Sequence, residues 1–372
     1  MAADAGSANT RPGASGPARA GSLTDAVQSA LCGAGTPSLT AGVQRLMTAY
    51  RSAEAPAAPI MASRNDVAAY AAYRMPATVA ATAAALRQMA LSVPDWRPAT
   101  LLDFGAGTGS TAWAAVDELP SIGAVTLLEQ SAEAIRLGKA IFARSTAPVL
   151  RTARWCQWRL QAGDKPVDEP PHDADLRRQG RALPASEPLP AADIATAAYV
   201  LGELTERQQG ALVTLVAAAA PAVLFVEPGT PAGHRRILAA RAALLGAGYR
   251  VVAPCPHQFA CPLAVEGDWC HFGARLQRSA VHRRIKGAEL SYEDEKFSYL
   301  AAVRPEMAMA DLPTARIVRR PQQRKGLVAL DLCADDGSSR RELVGKSKGD
   351  IYRLARKAAW GERWRAAGSG PG

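Results

Sequence analysis

Between residues 100 and 253, short apolar runs alternate with amphipathic stretches, and the period of the pattern switches each time. Thr100-Leu-Leu-Asp-Phe104 reads as a strand, Gly105-Ala-Gly-Thr-Gly109 as a tight turn, and Ser110–Leu119 as a helix. Ala124–Leu128 reads as a second strand and Ser131–Arg144 as a second helix. The rhythm returns with strands at Asp193–Tyr199, Val223–Val226 and Tyr249–Ala253, and helices at Thr205–Ala219 and His234–Ala247. Strands separated by helical segments predict a parallel α/β sheet with right-handed crossovers. Upstream, Thr24–Tyr50 and Arg64–Ser92 read as helical, the second breaking near Pro76, where proline removes a backbone donor. Downstream of Pro254 the alternation stops. Two strand-like runs, Ala315–Arg319 and Gly326–Leu332, are expected to pair as a hairpin around an Arg320–Lys325 loop, and Gly349–Arg363 reads as a basic helix.

These boundaries divide the chain into a disordered tail (1–23), an N-terminal helical region (24–95), a Rossmann-like α/β domain (96–253) with an exposed loop at 164–190, and a C-terminal region (254–372). The tail is Ala-, Gly-, Ser- and Pro-rich, and it lacks the apolar core of a secretory signal. No run of about 18 strongly apolar residues occurs, so no membrane span is expected. Charge is unevenly spread. The net charge is +10, and residues 271–372 hold 21 Lys/Arg against 12 Asp/Glu, a net of +9 that leaves +1 for the rest. A basic excess confined to one region is the footprint of a polyanion, nucleic acid first.

The sharpest local signal is Leu101-Leu-Asp103-Phe-Gly105-Ala-Gly107-Thr-Gly109. Glycines at a strand-to-helix turn let the backbone approach a ligand. Glu129 closes the next strand, where an acid can accept hydrogen bonds from both ribose hydroxyls. Asp103, two residues before the first glycine, favours S-adenosylmethionine over a dinucleotide, because that ligand carries a sulfonium and no phosphate. Asp103, Gly105, Gly107, Gly109 and Glu129 are the expected cofactor-binding residues; the alternatives are a nicotinamide site or an empty turn. Glu203 and Glu227 also fall at strand ends, as either ligand-facing or loop residues. No catalytic residue is assigned. There is no Asn-Pro-Pro-Tyr type sequence, and Pro254-Cys255 belongs to a cysteine set instead.

Of six cysteines, Cys255, Cys261 and Cys270 stand in a C-x5-C-x8-C pattern, and Cys333 follows the first strands of the C-terminal region. Four thiolates suit tetrahedral zinc or a [4Fe–4S] cluster. The absence of paired C-x2-C knuckles leans towards iron–sulfur, while His257, His271 and His282 keep a mixed zinc site open. Such a metal would tie the C-terminal extension to the α/β domain. Cys32 and Cys156 lie outside the set and read as structural.

The order Pro254-Cys-Pro-His257, Cys261-Pro262, Trp269-Cys-His-Phe272, Tyr292-Glu-Asp-Glu-Lys-Phe-Ser-Tyr299, Asp331-Leu-Cys333 and Tyr352 to Trp360-Gly361 resembles the methyltransferase-like small-ribosomal-subunit assembly factors of mitochondria and their bacterial relatives. The resemblance covers roughly Ala68–Trp364. It implies a class I S-adenosylmethionine-dependent methyltransferase fold, binding to small-subunit ribosomal RNA, and a [4Fe–4S] cluster on Cys255, Cys261, Cys270 and Cys333.

Three groups of basic residues then have an expected task in neutralising phosphates. They are Arg275, Arg278, Arg283, Arg284 and Lys286; Arg316, Arg319, Arg320, Arg324 and Lys325; and Lys346, Lys348, Arg353, Arg356 and Lys357. Phe297, Tyr299 and Trp360 read as core residues before base-stacking ones. The expected function is a methyltransferase acting on, or assisting assembly of, the small ribosomal subunit. The alternative is a non-catalytic assembly factor holding cofactor and cluster as structural ligands. The basic region argues against a small-molecule methyltransferase. The Ala/Arg-rich composition suggests a bacterial cytoplasm, with the mitochondrial matrix as the eukaryotic counterpart.

Overall fold

The apolar runs form strands because their alternate residues enter two different cores. The computed structural model describes residues 22–31, 39, 41–45, 61, 63–160, 189–265, 267–277, 292–307 and 309–364. The expected tail and the 164–190 loop therefore lie almost wholly outside the described residues. Helix α1 (Leu23–Ala30) starts one residue before the expected boundary, where the Ser22 hydroxyl accepts from the Asp25 amide. Helices α2 (Arg64–Tyr73) and α3 (Met75–Ala90) meet at Arg74, and Pro76 sits in the first turn of α3, where its missing N–H costs nothing.

The α/β core then runs β1 (Thr100–Phe104), α4 (Ser110–Glu118), β2 (Ala124–Glu129), α5 (Ala132–Phe142), α6 (Pro148–Arg151), β3 (Arg154–Gln157), β4 (Ile194–Ala198), α7 (Glu206–Ala219), β5 (Ala222–Pro228), α8 (Pro231–Gly246) and β6 (Arg250–Ala253). After the short α9 (Pro262–Val265), β7 (Phe272–Gln277) and β8 (Tyr292–Val303) return to the same sheet. Its order is β3-β2-β1-β4-β5-β8-β6, with β7 also on β8. The pairs among β1 to β5 are parallel, and β8 is antiparallel to β5, β6 and β7. The α/β sheet is therefore mixed and not wholly parallel as expected, because β8 runs antiparallel to all three of its neighbours. In β1, Leu101 enters one core and Leu102 and Phe104 the other; in β5, Leu224 and Val226 oppose Val223 and Phe225.

Two expected boundaries shift. The helical region is part of the α/β core, since Ala81, Ala85, Leu86 and Met89 of α3 share a cluster with Leu101 and Leu224. The sheet also extends past residue 253, because β8 is inserted between β5 and β6. Its Phe297–Val303 half is a buried central strand, while its first half carries the charges that disguise it in the sequence.

A second sheet holds β9 (Ala315–Ile317), β10 (Gln322–Arg324), β11 (Leu327–Ala334), β12 (Ser339–Gly345) and β13 (Arg363–Trp364). The expected hairpin differs in detail. β9 pairs with the far end of β11, and the segment expected as a loop contains β10, which pairs with the near end. The turn is Lys325-Gly326, with Gly326 at φ 74°. The expected basic helix is α10, which spans only Asp350–Lys357. Ala358 is extended, and Trp364 is buried beside Ala315. No helix among the described residues is long and apolar enough to cross a membrane.

Candidate functional site

A cleft opens at the carboxyl ends of β1, β2 and β4, where the sheet order reverses direction from β1, the position at which open α/β sheets bind ligands. The Gly105 and Ala106 amides donate to the Leu128 carbonyl, at 2.9 and 3.0 Å, which folds the glycine loop back over β2. Gly107 has φ 57°, and Gly109 has φ 90° at the N-cap of α4. A Cβ at Gly109 would stand 2.5 Å from the Phe142 ring, so this turn requires glycine.

Of the five expected cofactor residues, Gly105, Gly107 and Glu129 line the cleft; Asp103 and Gly109 do not. Glu129 is buried, and its Oε2 accepts from the Gly107 amide at 2.8 Å while Oε1 accepts from the Ser131 amide at 2.7 Å. Each oxygen keeps a lone pair for a ligand hydroxyl. Burial pushes its pKa up. Asp103 is fully buried. Its Oδ1 accepts from the Thr196 hydroxyl at 2.7 Å, and its Oδ2 has no partner. Burial, and secondarily the Glu129 charge, raises Asp103 to about 7.

Sequence reasoning did not pick Tyr70, Trp158 or Tyr199, which also line the cleft. Tyr199 holds φ 59°, a strained backbone for a residue with a bulky side chain. Its hydroxyl donates to Glu295 Oε1 at 3.1 Å, and Arg74 grips the same carboxylate with two bonds of 3.0 and 2.8 Å. Glu295 lies in the Tyr292–Tyr299 motif, whereas Arg74 is 221 residues away in the N-terminal helical region, and only the fold makes them a pair.

Glu203, in a single 3-10 turn after β4, lines the cleft, and burial raises it to about 8, helped by the Glu129 and Glu227 charges. Glu227 anchors the same turn. It accepts from the Leu201 amide and pairs with Arg236, both at 3.0 Å, and burial still raises it to about 7.

These acids predict a pH dependence. Between the unfolded carboxyl value near 4 and the folded values of about 7 to 8, the native state binds more protons than the unfolded state. Stability of the ligand-free protein is therefore fully present below that window and lost as pH rises through it. The loss is on the order of 1 kcal/mol per pH unit for each such group. Melting curves from pH 5 to pH 8 check this, and Glu203→Gln should flatten the slope. A melting temperature that rises over the window contradicts it.

The second feature is a cavity lined by all four expected cysteines. Cys255 follows β6, Cys261 precedes α9, Cys270 precedes β7, and Cys333 lies in β11. His257 Nε2 stands 3.3 Å from Cys333 Sγ, and His234 Nε2 stands 3.9 Å from Cys261 Sγ. His234 is an addition to the expected set, and burial lowers it to about 4, so its ring is neutral. Burial and then the neighbouring groups push the Cys270 and Cys333 thiols up. His271 is elsewhere, its ring 5.3 Å from that of Trp269 and 5.0 Å from that of Trp360. Cys156 is buried in the sheet core, whereas His282 and Cys32 lie outside the described residues.

Four thiolates on one zinc ion would have sulfurs about 3.8 Å apart. Among the described residues, no three His, Cys, Asp or Glu are gathered to hold a single metal ion. The four thiols line one cavity, but among the described residues they do not form the ready-made ion site that the expected metal-bound extension calls for. The cavity nevertheless fits an anionic metal–thiolate group in its chemistry. Among the described residues no carboxylate lines it, and the buried Arg241 Nε and Arg316 Nη2 beside it have no hydrogen-bond partner.

The family described as mitochondrial small ribosomal subunit Rsm22 matches residues 64–365, a span that includes both the glycine cleft and the four cysteines. The chain belongs to the Rsm22 family. It is 30% identical over 309 residues to the human ribosome assembly protein METTL17, mitochondrial, covering 79% of this chain and 61% of the relative. It is 26% identical over 181 residues to the Saccharomyces cerevisiae ribosome assembly protein RSM22, mitochondrial, covering 32% and 29%. The chain therefore spans about three fifths of the human relative's length. Among solved structures, an O-methyltransferase family protein from Burkholderia thailandensis aligns with a TM-score of 0.37 at 14% identity, covering 71% of this chain and 68% of that one.

The basic residues of this Rsm22-family chain divide into four groups. Arg275 and Arg320 both pair with Asp294, and Arg319 pairs with Asp268. Arg316 is buried at 1% exposure and is not available to a phosphate, which corrects its expected role. Arg324, Lys325, Lys346, Lys348, Arg353, Arg356 and Lys357 are exposed. Arg278, Arg283, Arg284 and Lys286 lie outside the described residues. Phe297 and Tyr299 are core residues, as expected, and the half-buried Trp360 donates to the Val318 carbonyl at 3.0 Å.

Proposed function

We infer that this chain binds S-adenosylmethionine in the glycine cleft and acts on, or assists assembly of, the small ribosomal subunit through its ribosomal RNA, as a methyltransferase-type member of the Rsm22 family. The observation that carries the reading is the cleft itself. Glu129 and Glu203 face a space floored by Gly105 and Gly107, with Asp103 holding an unpartnered carboxyl oxygen. Acids around a small cavity favour a cation such as a sulfonium. Glu129 would take the ribose hydroxyls, and Asp103, Gly105, Gly107 and Gly109 would shape the loop around the amino-acid end. The bound cofactor supplies an electrophilic methyl group; the chain orients it and excludes water with Tyr70, Trp158 and Tyr199.

Cys255, Cys261, Cys270 and Cys333 would hold a [4Fe–4S] cluster, with zinc as the alternative. Held by these residues, such a group would fasten the second sheet to the first, since Cys333 belongs to β11 and Cys270 immediately precedes β7. The exposed cations of the β10–β11 turn and α10 support contact with RNA phosphates. The relatives are mitochondrial by name, which supports the mitochondrial matrix; the expectation of a bacterial cytoplasm draws no support from them.

One observation favours the second reading, in which the cofactor is a structural ligand. Tyr199 and Glu227 are engaged with Glu295 and Arg236, so neither is free to take a proton from a substrate. The deciding experiment incubates anaerobically purified protein with small subunits or their naked RNA and tritiated S-adenosylmethionine. Label in the RNA is expected. Binding without label, with cofactor bound, replaces transfer by the assembly role. Failure to bind the cofactor removes the cleft assignment.

A further inference from the structure

Two guanidiniums stand at the cysteine cavity with nothing to balance their charge. Arg241, on α8, is 6% exposed, and its Nη2 donates to the His257 carbonyl at 3.0 Å. Arg316, on β9, is 1% exposed. Its Nε donates to the Pro254 carbonyl at 2.8 Å, and its Nη1 to the Gly361 carbonyl at 3.0 Å and to the Gln88 side chain. Every one of these acceptors is neutral. Among the described residues neither arginine forms an ion pair, and no Asp or Glu lines the cavity. Arg241 Nε and Arg316 Nη2 are buried and unpartnered. Removing one partner from a buried pair costs several kcal/mol because a lone charge remains. Here two lone charges of one sign share a single cavity wall, and arginine cannot shed its proton to escape the cost.

The same wall carries Cys255, Cys261, Cys270 and Cys333. Four thiolates around a metal core of charge +2 sum to −2, equal and opposite to two guanidiniums. We propose that Arg241 and Arg316 are the built-in counter-charges of the metal–tetrathiolate group, positioned to donate their free N–H groups to its sulfurs. This rests on the reading of the four cysteines as metal ligands and goes beyond it. It gives two residues outside the ligand set a role in retaining the group and in setting its reduction potential, which responds to nearby charge and to hydrogen bonds on sulfur. It also explains why no acid lines the cavity among the described residues: a carboxylate there would cancel the cations before the group arrived. Arg316 further links the site to α3 through Gln88 and to the turn before β13 through Gly361, so the counter-charge and the inter-sheet tether are one side chain.

The test uses the full chain purified without oxygen, either reconstituted with ferrous iron and sulfide or stripped by a chelator. In the loaded protein, Arg241→Gln should speed iron loss to chelator about tenfold, lower the midpoint potential and lower the melting temperature. In the stripped protein the same substitution should raise the melting temperature, because it deletes an unbalanced buried cation. Arg241→Lys keeps the charge and should restore most of the retention. Arg316→Gln should likewise speed iron loss and lower the potential, but it also cuts the tether, so its melting temperature is read only against Arg316→Lys, which should restore retention. A melting temperature that falls in both states would mean that the arginines only tie carbonyls together, and the proposal is then wrong. Equal damage from Lys and Gln would overturn it in the same way. A wild-type protein that takes up iron, with Arg241→Gln changing neither retention nor potential, would sink the counter-charge alone. A wild-type protein that takes up no metal would sink the ligand reading and the proposal with it.

Discussion

Gly107→Arg is expected to weaken S-adenosylmethionine binding about a hundredfold or more, while affinity for small-subunit RNA stays within about twofold. Position 107 has φ 57°, so any side chain there carries a strain of about 1–2 kcal/mol. A Cβ would also stand 3.3 Å from Met61 Cε and 4.0 Å from the Tyr70 ring, on the wall of the cleft. The larger effect is electrostatic. The Gly107 amide is held 2.8 Å from Glu129 Oε2, so an arginine attached there delivers its guanidinium to the carboxylate that a cationic ligand needs. Gly107→Ala separates the two causes, since it adds the strain without the charge and should lose much less affinity. Calorimetric titration with S-adenosylmethionine reads both variants. Unchanged affinity in Gly107→Arg would refute the pocket assignment, whatever the RNA result.

Cys270→Ser should bleach the brown colour of anaerobically purified protein and lower its solubility. Its melting temperature should fall by about 4–5 °C, for a loss on the order of 3 kcal/mol. Cys270 lies where the two sheets meet. Its carbonyl accepts from Ser298 of β8 at 2.7 Å, and it shares a small cluster with Cys333 of β11 and Val318. Serine has nearly the shape of cysteine, so the packing loss is small and most of the effect reports the missing ligand. Cys156→Ser, in the sheet core, is the comparison, and it should leave the colour intact. A colourless, zinc-loaded wild type would overturn the iron–sulfur reading in favour of zinc.

The strands and helices from residue 100 to residue 253 were legible because each pairs a local period with a local stop signal. In β1, Leu101 and Leu102 face opposite cores, and the glycine turn that follows needs no distant partner to be understood. The cofactor loop was legible for the same reason, since Gly105, Gly107 and Glu129 lie within 25 residues of one another. The four cysteines were legible as a set because that residue type is scarce and three are close in sequence.

What was not legible depends on long-range pairing. β8 begins with Tyr-Glu-Asp-Glu-Lys, which looks like a surface segment; it is a strand because β7 on one side and β5 on the other accept its backbone. β10 and β13 are two or three residues long and carry no period; only β11 and β9 give them a ladder. Arg316 was assigned to RNA by its charge, and only its neighbours Pro254, Gln88 and Gly361 show that it is interior.

The sequence by itself determined the α/β class, the glycine turn with its acid, and the cysteine set. These follow from backbone freedom, side-chain period and residue chemistry, which are properties of a residue and its immediate neighbours. The tertiary structure alone decided that the C-terminal region completes the main sheet, that Arg74 and Glu295 brace Tyr199, and that two arginines face the thiols without a counter-ion. Those depend on which distant groups share a volume from which water is excluded, and charge balance and hydrogen-bond satisfaction inside that volume are settled only once the chain has closed around it.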